Sequence, residues 1–302
     1  EKPMKRENGL VFVSYLIWGL LPIFWKQLSM VNSAYVLASR IIWSAIFCGA
    51  LLLLRHRWSG VKAALADKKE ARLIFLCAIL ISINWGLYIF SIAIGKVLES
   101  SLAYYMSPII SVLIGAVFFR EKHGVIQWLA IAIAAIGVLI AVVMYGSVPW
   151  LALCIGASFA VYGALKKKVK EDGETSIFLE TLFMAPFALA FMVFAELHGN
   201  GVLGVLHGWQ FILLPLTGIV TSVPLMLFAQ GIKQTSITLS GILMYINPTM
   251  VLLLGVFLYG EAFTRTNQIV FAFVWAAVLL FVGDSLVQHH RAAKKLEETV
   301  EP

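Results

Sequence analysis

YMSPIISVLIGAVFFRE, residues 105–121, lies over YINPTMVLLLGVFLYGE, residues 245–261, without a gap. One constant shift carries Tyr105 onto Tyr245, Pro108 onto Pro248, Leu113 onto Leu253, Gly115 onto Gly255 and Glu121 onto Glu261. A Tyr-x-x-Pro followed by Gly and Glu at fixed distances is not what an aliphatic bias produces, so the chain reads as an internal duplication. The same shift places Lys26 on Lys166, each at the end of an apolar run.

Those runs decide the solvent. Hydrophobic residues make up 61% of the 302, and charged residues 13%, about half the usual share of a soluble domain. The missing apolar surroundings must come from lipid. A helix needs roughly 20 apolar residues to cross a hydrocarbon core of about 30 Å, and lipid tolerates no exposed irregular backbone. Ten runs of that length occur, near 9–28, 34–54, 73–95, 98–119, 124–145, 148–166, 175–197, 209–231, 235–259 and 267–287. The expected fold is therefore an all-α membrane protein of ten transmembrane helices in two five-helix units, residues 1–146 and 147–302.

An odd number of spans per unit starts the second copy on the opposite side of the bilayer, so the repeats are expected to be inverted. Loop charge gives the orientation. With the N-terminus inside, 19 of the 23 basic residues fall on that side, only Lys26, Lys96 and Arg265 fall outside, and Arg40 lies within a span. Both termini are thus expected to face the cytoplasm. The first run is about 20 residues long without a small-x-small cleavage site, and is expected to remain attached. The net charge of +7 sits in short loops and forms no groove-facing helix, so nucleic acid is not an expected partner.

Inverted repeats are a recurring architecture of secondary transporters, with the solute near the midplane where the units meet. Polar groups at that depth cost roughly 2.5–3.5 kcal/mol each and usually face a bundle interior or a watery cavity. Asn84, Trp85 and Tyr88 share overlapping helix faces, and Tyr104 and Tyr105 precede Pro108 as Tyr245 and Asn247 precede Pro248. Together with Trp18 and Arg40 these are the candidate solute-binding residues. Arg40 has a second reading, snorkelling to the headgroups while stacked on Trp43. Pro108, Pro224 and Pro248 are candidate helix kinks, since proline removes a backbone donor. Glu180 is the candidate proton-coupling carboxylate, with a structural hydrogen bond as its alternative. Glu121, Glu261 and Asp284 lie at span ends, where cap or interface roles are expected.

Absent motifs narrow the chemistry. No GxxxxGKS phosphate loop, HExxH or GxSxG occurs, and Cys48, Cys77 and Cys154 lie in apolar runs with no CxxC, so neither a cofactor nor a metal is expected and the cysteines read as small core residues. A non-transporting scaffold or sensor subunit is the competing class.

NWGLYIF at 84–90, ESSLAYYMSPIISVLIGAVFFRE at 99–121, SFAVYGALKKKV at 158–169, LETLFMAPFAL at 179–189 and GIVTSVPLMLF at 218–228 resemble the RarD branch of the EamA-type transporters in the drug/metabolite transporter superfamily. The resemblance covers nearly the whole chain. It implies a ten-helix inverted-repeat carrier of the bacterial inner membrane that moves a small metabolite, amino acid or drug-like solute, with protons as a possible coupling ion. Monomer and homodimer both suit such a chain. The family more often has Asn-Pro where this chain has Ser107-Pro108, so Ser107 is not counted as a ligand.

Overall fold

The computed structural model describes residues 6–94, 97–146, 148–260 and 263–300. Glu261, one end of the repeated motif, lies outside them.

Among the described residues every regular element is a helix and there is no strand. The elements are α1 (Arg6–Lys26), α2 (Ser33–Leu54), α3 (Trp58–Ala66), α4 (Lys68–Ala93), α5 (Val97–Phe118), α6 (Val125–Tyr145), α7 (Trp150–Lys166), α8 (Gly173–Leu197), a 3-10 turn (Gly208–Ile212) leading into α9 (Leu213–Gly231), α10 (Ile237–Leu243), α11 (Ile246–Leu253), a π-helical turn (Leu254–Leu258) and α12 (Arg265–Val300). Eight segments are long and apolar enough to cross a membrane, and two shorter apolar helices, Leu102–Phe118 and Trp150–Lys166, bring the set to ten. The protein is an all-α, multi-pass membrane protein of about ten spans.

Three features depart from the sequence expectation. The α2–α4 connection contains a helix of its own, α3. The last span continues to Val300 rather than ending near 287. The ninth span is broken at Met244 and Tyr245, and Pro248 stands in the first turn of α11, where a missing N–H costs nothing. Pro108 and Pro224 sit inside continuous helices. Cys48 and Cys77 are buried as expected, but Cys154 is exposed on the outside of α7.

Helix starts recur at the offset of the repeated motif. The shift that carries Tyr105 onto Tyr245 also carries Ser33 onto Gly173, Lys68 onto Gly208, Val97 onto Ile237 and Val125 onto Arg265, each pair the first residues of helices. Local chemistry recurs with them: Asn32 caps α2 by accepting from Ala34 and Tyr35 N–H, and Asp172 caps α8 by accepting from Thr175 N–H. The two halves interlock, with α2 packed on α8, α5 on α7 and α6 on α12. The side chains facing lipid are large and apolar, including Phe118, Val125, Leu139, Phe187 and Phe257.

The Gly-x5-Glu of the opening motif has a physical reason. Glu121 turns back over Gly115 and accepts from the backbone N–H of Ile237 at 2.7 Å and Thr238 at 2.9 Å, satisfying two orphan donors at the start of α10. A Cβ at Gly115 would come within 2.7 Å of both the Glu121 carboxylate and Thr238 Oγ1, so only glycine leaves the room. Glu121→Ala is expected to lower stability by about 1–2 kcal/mol, the loss of a charge-assisted cap, measurable as a lower unfolding temperature in detergent. An unchanged temperature would show that solvent replaces the carboxylate.

Candidate solute cavity

The site is built on a close crossing of α2 and α9. A Cβ at Gly218 would lie 2.3 Å from the carbonyl carbon of Trp43, so the two backbones meet with nothing between them. Hydroxyls sew the contact: Ser44 Oγ donates to Gly218 O at 3.2 Å, and Ser39 Oγ lies 3.2 Å from Thr217 Oγ1. One turn further along α9, Thr221 Oγ1 accepts from Arg40 Nε at 3.0 Å. The guanidinium lies over the rings of Trp85, 4.4 Å from its centroid, and Trp25, 4.8 Å from its centroid. The rings under it are these two and not Trp43, which packs with Tyr35, Leu214 and Trp25.

Arg40 forms part of the wall of a cavity of about 470 Å³ between α1, α2, α4, α5, α7, α9 and the break that opens the ninth span. The cavity begins at the exposed α1–α2 loop, beside Ser29 and Ser33, and reaches inward to Tyr15 and Leu225. Among the described lining residues, Lys26 and Arg40 carry charge and none is acidic. Tyr88 and Tyr104 meet edge to face, centroids 6.0 Å apart, and Trp18 packs against Tyr15, Phe159 and Phe228 at the inner end. The wall is thus an aromatic box with a cation on one side, able to hold an amphipathic solute of modest size.

Of the candidate binding residues, the structure brings Trp18, Arg40, Asn84 and Trp85, with Tyr88, Tyr104 and Asn247, to this one cavity. Asn84 also ties α4 to α7, donating to Ile155 O at 2.7 Å and Ser158 Oγ at 3.1 Å. Tyr105 and Tyr245 are not among the lining residues. Instead the Tyr245 hydroxyl donates to the Tyr105 carbonyl at 3.3 Å, close to Pro108, joining α5 to the broken span. Sequence reasoning missed Trp25 and Lys26, which lie at a span end and read as interfacial anchors, and Phe159, an apolar residue inside a span that no local pattern marks.

Glu180 lies elsewhere, on the face that carries the α1 N-terminus. It forms an ion pair with Lys166 in which the two side chains are only 3% and 1% exposed. Ser176 Oγ donates to the same carboxylate at 3.1 Å and Tyr162 donates to its other oxygen at 3.1 Å. Lys166, which the sequence places at the end of an apolar run, is therefore a core residue. Around it the α7–α8 loop is strapped down. Glu70 accepts from the backbone N–H of Lys170 at 2.7 Å, Lys233 Nζ donates to Lys170 O at 2.9 Å, Lys167 donates to the carbonyls of Ile232 and Thr235, and Arg55 and Arg57 pair with Glu174 and Asp172. Burial lowers the Lys167 and Lys233 ammonium groups from the ordinary lysine range, and backbone N–H groups of Lys69 and Glu70 hold the Asp67 carboxyl low. This face is sealed by aromatic rings and paired charge; the other opens into the cavity.

The EamA-like transporter family model matches the chain twice, at residues 6–143 and 147–283. The chain belongs to the EamA-like transporter family. An uncharacterized transporter, YojE, of Bacillus subtilis is 40% identical over 95% of this chain and 97% of its own length. An uncharacterized transporter of Vibrio cholerae is 37% identical over 97% of both chains, and a RarD protein of Salmonella typhimurium is 34% identical over 92% of this chain and 94% of its own. One solved crystal structure, 17% identical, superposes with a TM-score of 0.71 over 91% of this chain and 97% of its own, a likeness of fold alone. Within the EamA family this chain is of the RarD type, and it is a membrane transporter of that superfamily.

Proposed function

We propose that the protein is a secondary transporter that moves a small amphipathic solute by alternating access between two inverted five-helix units. The observation that carries this is the cavity walled by helices of both halves, reaching one face and sealed at the other. The recurrence of helix starts at the offset of the repeated motif supports reading the halves as equivalent units whose conformations exchange. With both termini in the cytoplasm of a bacterial inner membrane, the charge distribution among loops makes the open face the outer one.

The test is flux in proteoliposomes across a panel of metabolites, amino acids and drug-like solutes, with and without a proton gradient. Trp18→Ala and Trp85→Ala are expected to cut flux more than about tenfold while the proteins remain monodisperse in detergent. Absence of flux for every solute, with stable co-purification of a partner, would favour the scaffold reading instead. Sidedness has its own check: with Cys154 replaced by serine, Ser33→Cys should react with an impermeant maleimide on whole cells and Lys168→Cys only after lysis. The reverse pattern would invert the orientation.

A further inference from the structure

The two halves differ in the sign of one charge at equivalent positions. On the sealed face, the end of α7 and the first turns of α8 are joined by Lys166 and Glu180. The shift that relates the halves carries Lys26, at the end of α1, onto Lys166 and Arg40, in α2, onto Glu180. Where the sealed half has a base and an acid, the open half has two bases. Lys26 lies exposed at the cavity mouth with its ammonium 3.7 Å from the Tyr259 ring centroid, and Arg40 lies deeper, its side chain half-buried.

Arg40 is also incompletely satisfied. Its Nε is taken by Thr221 and its guanidinium carbon lies over the rings of Trp25 and Trp85, yet among the described residues none hydrogen-bonds Nη1 or Nη2 and no acidic side chain lines the cavity. A cation held at membrane depth without a counter-ion is costly, and a guanidinium presents a fork matched to a carboxylate. The guanidinium carbon lies over both indole rings, and the two terminal nitrogens of the fork carry no hydrogen bond from a described residue.

From these observations we infer that the cavity takes an organic monoanion with an aromatic or apolar body, whose carboxylate binds the edge of Arg40. The inference deepens the transport reading and rests on its cavity. The anion supplies the negative charge that Glu180 supplies in the other half, so the α1–α2 side seals around Lys26 and Arg40 only when it is loaded. Lys26 at the mouth attracts the anion before it reaches Arg40.

The experiment uses three probes of one shape: phenylacetate, phenylacetamide and phenethylamine. Binding to the purified full-length protein in detergent is read by intrinsic tryptophan fluorescence, since Trp25 and Trp85 flank the guanidinium. Phenylacetate should bind at least about tenfold tighter than the amide or the amine. Arg40→Gln should bring carboxylate and amide within about twofold of each other, and Arg40→Lys should keep part of the preference. If Arg40→Gln fails to run as a folded species on size exclusion, Lys26→Gln carries the test, with a loss of about threefold for phenylacetate and none for the amide. Amide or amine binding as tight as carboxylate binding, no binding of any probe at millimolar concentration, or a preference left undiminished by Arg40→Gln, or by Lys26→Gln where that variant carries the test, overturns the proposal. Binding and flux fail separately. Carboxylate-selective binding without flux would sink the transport reading alone, and flux of amines or neutral solutes without carboxylate preference would sink this one alone.

Discussion

Lys166→Met is expected to destabilise the protein by about 3–5 kcal/mol, because it leaves the Glu180 carboxylate buried among α7, α8 and their neighbours without its counter-ion. Glu180→Leu should cost a similar amount for the mirror-image reason, since the Lys166 ammonium then keeps the Ser176 hydroxyl and the Tyr162 ring but has lost its counter-ion. The double variant Lys166→Met/Glu180→Leu should recover most of the loss, because a well-packed apolar pair of similar volume replaces two desolvated charges. The measurement is the unfolding temperature of each purified variant together with its yield from membranes. A double variant no more stable than either single one would mean that Tyr162 and Ser176, left without their acceptor, dominate. The same variant settles the role of Glu180 in coupling. Flux that keeps its dependence on a proton gradient in the folded double variant would remove Glu180 from that role, and flux that loses the dependence would assign it.

Gly218→Val should be the most damaging single change at the helix crossing that supports the cavity. The added Cβ would stand 2.3 Å from the Trp43 carbonyl carbon and 2.4 Å from its oxygen, and neither is a side chain that can rotate aside. Even Gly218→Ala should cost about 1–3 kcal/mol of overpacking. The damage extends to function, because pushing α2 from α9 withdraws Arg40 from Thr221. Binding to the cavity and unfolding temperature should therefore fall together. Gly86→Ala is the control. A Cβ there meets nothing within 4 Å, so the variant should be neutral or slightly more stable through better helix propensity. Equal behaviour of the Gly218 and Gly86 alanine variants would show that the α2–α9 crossing relaxes freely.

How much of the fold and the cavity was legible in the sequence depended on whether the physics was local. Span positions were readable within a few residues because lipid demands about 20 apolar residues per crossing, and the observed α2, α6 and α8 start and end close to the expected runs. The repeated Gly and Glu were visible as letters, but their purpose was not: Glu121 serves a helix that begins at Ile237, and no local pattern reveals a partner 116 residues away. Tyr105 and Tyr245 were equally plain as a repeated pair, yet they bond to each other rather than line the cavity. The pairing of Lys166 was not legible, because a lysine at a span end is normally solvated and only the fold brings Glu180 to it. Arg40, Trp85 and Asn84 were readable because a polar group at membrane depth is costly unless a bundle interior or a watery cavity receives it.

Helix α7 is shorter than an ordinary bilayer is thick. Its 17 residues, from Trp150 to Lys166, rise only about 26 Å at 1.5 Å per residue, against a hydrocarbon thickness of about 30 Å. Its outward side, with Trp150, Cys154 and Val161 exposed, borders the acyl chains, so the bilayer must pinch beside it or the helix must lose contact with one leaflet. Hydrophobic mismatch of this kind is relieved in thinner membranes. The protein should keep its folded form longer, and cycle faster, in vesicles of short-chain phosphatidylcholine than in thick, sterol-stiffened ones.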